Sequence, residues 1–149
     1  MVKYGRIPTA TELSKRGVNL ETLTCRMCEE KDECPDHALV DCSFAKKKVA
    51  DGIWRWCNVQ VGGFNKVNDL LDFVATWGSC AKRRKIIVVI CYGMLWCIWK
   101  ARNERVFKKN RLPPDKVIEI VKSVTFLWVM NRGKMAELAW KNWSQCPFF

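Results

Sequence analysis

Four side chains carry the strongest chemical signal in this chain: Cys25-x2-Cys28-x8-His37-x4-Cys42. Thiolate sulfur and neutral imidazole nitrogen are the ligands zinc prefers, and a Cys-x2-Cys pair turns two sulfurs toward one point. The sole histidine of the 149 residues falls inside this cluster. With four protein ligands no position is left for water, so the spacing predicts a structural and not a catalytic ion. Chelation is then expected to unfold residues 20–56 in part. Cys34 is a second-choice ligand that would replace one of the four, since Pro35 follows it directly. The competing reading is a chance Cys-x2-Cys in a cysteine-rich chain, with His37 capping a helix beside Asp36.

Nothing else in the sequence assembles into a catalytic centre. Gly62-Gly63-Phe64-Asn65-Lys66 lacks the length and the Ser/Thr of a phosphate loop. With His37 committed to metal, a Ser or Cys nucleophile has no base. Asp69 and Asp72 share a helix face and read as solvated, and Glu29, Glu30, Asp32 and Glu33 read as a solvated acidic loop. The chain is not expected to be an enzyme.

The formal charge of +11, from 26 Lys and Arg against 15 acidic residues, points to an anionic partner. RNA or DNA leads, because neutralised phosphates release their counterions; an anionic membrane surface and simple solubility are the rivals. Lys82, Arg83, Arg84, Lys85, Lys100, Arg102, Arg105, Lys108 and Lys109 are the candidates for phosphate contacts. Eight tryptophans offer stacking surfaces, although most lie on apolar helix faces where core packing is the ordinary use. Lys82 to Lys85 also fits a nuclear import signal. Nine cysteines without a secretory leader imply a reducing, intracellular compartment, with thiols and metal ligands in place of disulfides.

These residues need elements to position them. Thr9-Ala10-Thr11-Glu12 matches a capping box, and Gly17 suits the end of the short helix that follows. Phe44 to Cys57 carries a helical apolar face. Residues 58–68 lose periodicity and form a linker, within which Asn68 would cap a helix running to about Trp77. The stretch Ile86–Trp99 is too short for a membrane span, which takes about 20 apolar residues, and reads as a core helix continuing into the basic Lys100–Lys109. Pro113-Pro114 starts another helix, with Val117, Ile120, Val121, Val124, Leu127 and Trp128 inward. Residues from Ala136 on would form a last helical turn or fray. The expectation is therefore a mainly α protein with an N-terminal zinc knuckle and little or no sheet. It comprises a zinc-binding region 1–57, the linker, and a helical region 69–149 packing with the first as one unit.

Gly5-Arg6-Ile7-Pro8-Thr9, Leu13 to Arg16-Gly17-Val18, the Cys25/Cys28 pair and Asp36-His37-x4-Cys42-x-Phe44-Ala45 together resemble the reverse-transcriptase zinc-binding domain of plant LINE-type (non-LTR) retrotransposon polyproteins. Leu95 to Asn103 with Phe107, then Lys122-Ser123 with Phe126 to Val129 and Arg132, extend that resemblance over nearly the whole chain. It implies the same four zinc ligands and descent from a polyprotein that handles element RNA or target DNA. The polymerase Tyr-x-Asp-Asp, endonuclease and ribonuclease motifs do not occur. A nucleic-acid-associated zinc module without catalysis is the leading expectation. A protein-interaction or self-association module, or a decayed fragment with an exposed apolar patch, are the alternatives.

Overall fold

The computed structural model describes residues 6–132 and 138–148. Its α-helices are α1 (Ala10–Lys15), α2 (Asp51–Cys57), α3 (Val67–Ala75), α4 (Ala81–Lys108), α5 (Pro114–Arg132) and α6 (Trp140–Gln145), and two π-helical segments, His37–Asp41 and Phe44–Ala50, precede α2. Among the described residues no strand forms; Thr24 and Asp32 make one isolated antiparallel bridge. The mainly α expectation holds.

The 28-residue α4 is the axis of the fold, roughly 42 Å long at 1.5 Å per residue. Ile87, Ile90, Cys91, Met94, Leu95, Ile98 and Ala101 are all at most 2% exposed, so α4 is buried on several sides and not along a single stripe. By length and composition alone it would serve as a membrane span, but 61% of its most apolar window is buried inside the fold. α5 folds back along it, and the crossing is close because Gly93 has no side chain: a Cβ there would collide with the methyl of Thr125.

The face that α5 buries differs from the expected one. Val117, Val121, Thr125 and Val129 form the buried row, Val124 and Trp128 are half-buried, and Leu127 is 57% exposed. Thr125 tolerates the core because its hydroxyl donates to the Val121 carbonyl at 2.6 Å.

Local capping also departs from the sequence reading. At α1 no side-chain cap forms from Thr9; Glu33 substitutes, its Oε1 accepting the Ala10 amide at 3.0 Å and its backbone carbonyl the Thr11 amide. The other end of α1 behaves as expected. Gly17 adopts φ +88°, and Val18 and Gly17 donate to Leu13 and Ser14 in a Schellman closure. α3 starts at Val67, and its first amide is capped by Asp36 Oδ1 at 2.9 Å, not by Asn68. In both cases a carboxylate distant in sequence outcompetes the local cap. The cap thereby ties the knuckle loop to a helix.

The core residues from Cys25 to Trp143 form one contiguous cluster drawn from both sides of residues 58–66. Trp143 closes it: its ring packs edge-on to Trp56 at 5.4 Å, its Nε1 donates to Lys122 O and its carbonyl accepts Trp56 Nε1. α6 is therefore pinned.

The Cys3His zinc centre

Cys25 and Cys28 lie on a tight turn made possible by Glu29, which takes φ 59° and donates its amide to the Cys25 carbonyl. The amides of Met27 and Glu30 point at the two sulfurs, each at 3.4 Å. Such donors stabilise thiolate over thiol. His37 comes from the first π segment, where the wide turn lets the Cys42 amide reach back to the His37 carbonyl at 2.8 Å. Cys42 then adopts ψ 136°, which breaks the helix before Ser43 restarts it and turns the Phe44 and Ala45 amides toward the Cys42 sulfur.

The result is convergence. One ligand atom from each of Cys25, Cys28, His37 and Cys42 lies within 4.8 Å of all the others. Cys25 and Cys42 Sγ are 3.9 Å apart, against about 3.8 Å for two sulfurs on a tetrahedral zinc with 2.3 Å bonds. Cys28 Sγ to His37 Nε2 is 3.2 Å, a few tenths inside the roughly 3.6 Å of the same construction. The donor set and its spacing fit Zn2+. Cys34 lies outside the group, its Sγ accepting the His37 amide at 3.4 Å. Among the described residues no other three His, Cys, Asp or Glu side chains converge in this way.

Electrostatics prepare the site. The Cys42 thiol donates to Cys25, holding the Cys25 thiol down to about 5, while Cys42, which keeps the shared proton, is pushed well up. Zinc binding must expel that proton. His37 Nδ1 is buried, with Asp41 Oδ2 at 3.5 Å as its nearest acid, longer than an ordinary hydrogen bond but on the side opposite the ligating nitrogen. A carboxylate on that side is placed to orient the imidazole of a metal-bound histidine from behind. Asp41 is itself held by Lys31 at 3.1 Å and Lys46 at 3.4 Å. Four protein ligands make the zinc structural.

The acidic loop beside the knuckle is not uniformly solvated. Glu29, Glu30 and Asp32 are exposed, but Glu33 is 1% exposed and pairs with Arg102 through two hydrogen bonds of 2.9 and 2.6 Å. Arg102, also against the Trp99 ring at 4.7 Å, therefore leaves the set of phosphate candidates: its guanidinium is buried and bidentately occupied. The other candidates separate to the two ends of α4. Lys82, Arg83 and Lys85 are exposed at its start, whereas Arg84 donates to the carbonyls of Trp77 and Gly78. Lys100 lies 6.0 Å from the Trp96 ring, Arg105 is half-buried, Lys108 pairs with Glu104, and Lys109 is exposed at the helix end. Reading the sequence missed Glu33, Asp36 and Asp41 as supports. Of these, only Asp41 carries a local signal, its position one turn after His37.

No curated protein and no solved structure matches this chain. Residues 1–48, the stretch that supplies all four ligands, match the protein family described as zinc-binding in reverse transcriptase.

Proposed function

We propose that the chain is a zinc-organised accessory module of reverse transcription that associates with RNA or DNA inside the cell and has no catalytic activity of its own. The observation that carries this reading is the combination of a reverse-transcriptase-type zinc site with a surplus of uncompensated surface cations. Lys82, Arg83, Lys85 and Lys109 are exposed and have no ion pair among the described residues. The single histidine is held in the metal cluster, which leaves no imidazole for acid–base work.

A second reading has one specific support. Trp96 is 52% and Phe107 75% exposed on α4, a surface suited to a protein partner or a second copy. Salt separates the two. If four phosphates are contacted, affinity for single-stranded RNA falls about 50-fold between 50 and 200 mM salt. Binding that is absent, or that ignores salt, would reject the nucleic-acid reading, and concentration-dependent self-association would favour the second.

A further inference from the structure

A hollow of about 270 Å³ lies directly against the zinc knuckle, between it and the turn from α4 to α5. Four cations from four separate segments line it: Arg26 from inside the Cys25–Cys28 turn, Lys48 from the second π segment, Arg105 from the end of α4 and Arg111 from the link to α5. Among the described residues Arg26, Lys48 and Arg105 have no side-chain hydrogen bond or ion pair. Arg111 reaches Glu29 at 3.9 Å, both side chains about two-thirds exposed, a pairing of little energy. Four like charges facing one hollow repel one another unless an anion lies between them. They are brought together by the chelate turn and by α4, not by mutual attraction.

We propose that this groove, which rests on the nucleic-acid reading above, is where the chain grips a single strand. The four cations contact consecutive phosphates, and half-buried Phe44 on the groove wall offers an aromatic face to a base. A hollow of this size admits a nucleotide of a flexible single strand, whereas a duplex presents only its outer phosphates. Because Arg26 sits between two zinc ligands, the metal orders part of the groove. The opposite end of α4 has a second hollow, about 300 Å³, but there Lys82, Lys85 and Arg132 rim an apolar wall of Ile86, Val89 and Trp128, so fewer charges converge.

The test compares Arg26→Ala/Arg111→Ala with Arg55→Ala/Lys141→Ala, two exposed cations away from the groove, in the zinc-loaded full chain, using fluorescence anisotropy of a labelled oligouridylate over a salt series. All four side chains are exposed, and circular dichroism and zinc content confirm that each variant keeps its fold. Losing two phosphate contacts lowers the log–log salt slope by about 1.4, equivalent to roughly 25-fold weaker binding at 0.1 M salt, while the control pair changes affinity by less than about threefold. The charge-preserving Arg26→Lys/Arg111→Lys retains the slope. Equal losses in both alanine pairs, or an unchanged groove variant, would overturn the groove while leaving the module reading intact. No binding by the parent chain would overturn both.

Discussion

Arg102→Met is expected to be among the most damaging single changes outside the zinc ligands. Glu33 and Arg102 side chains are 2% and 6% exposed, and the pair joins the knuckle loop to the middle of the fold through two hydrogen bonds. The same Glu33 carboxylate caps α1 through the Ala10 amide, and its backbone bonds to Leu23 and Thr11. Removing the guanidinium leaves a carboxylate buried with one amide donor, a loss of roughly 3–5 kcal/mol. Against a total stability of about 5–15 kcal/mol that is a large fraction, and at about 3 °C per kcal/mol for this chain length it lowers Tm by roughly 10 °C or more. The converse change, Glu33→Leu, strands the arginine and removes the α1 cap. The double variant Glu33→Leu/Arg102→Met removes both charges, so its loss is expected to be well below the sum of the singles. Urea denaturation at saturating zinc, with all four members of the cycle, measures this. Single losses below about 1 kcal/mol, or strict additivity, would show that the pair is not the buried link described.

Gly93→Ala places a methyl against Thr125 at the α4–α5 crossing and is expected to destabilise by about 1–3 kcal/mol in the same assay. Asp41→Asn leaves all four ligands in place but weakens the group behind His37, so zinc affinity by competition with a chromophoric chelator is expected to fall roughly 10–100-fold. Native alkylation followed by mass spectrometry is expected to modify Cys80 first. Cys80 is exposed, and amide donation from Arg83 lowers its thiol pKa, whereas burial raises Cys91 to about 12 and Cys97 to about 11. Early labelling of Cys91 would contradict the packing of α4.

The zinc ligands were legible in the sequence because their chemistry is local: residue type and spacing within 18 positions are enough to converge on one ion. The apolar body of α4 and the start of α5 at Pro114 were legible for the same reason, through a run of hydrophobic residues and a proline, although α4 begins at Ala81, five residues before that run. The caps were not, because Glu33 and Asp36 act on helices far along the chain, and a carboxylate in an acidic run gives no sign that it will meet Arg102 across 69 positions. Arg102 was misread by the same blindness: in a basic stretch it looks like its neighbours, and only tertiary packing distinguishes the buried guanidinium from the solvated ones. Leu127 and Thr125 exchanged roles for a related reason. Hydrophobicity ranks leucine inside, but Thr125 satisfies its hydroxyl on its own helix and fits the space that Gly93 leaves. The groove cations, Arg26 and Lys48 among them, belong to no run and come together only in three dimensions.

Metal stoichiometry tests the central claim most directly. Protein purified without added zinc, then analysed by inductively coupled plasma mass spectrometry, is expected to hold one zinc per chain, and Cys28→Ser/His37→Asn is expected to hold none. A metal-free parent chain, or a double variant that keeps a full equivalent, would contradict the Cys25, Cys28, His37 and Cys42 site.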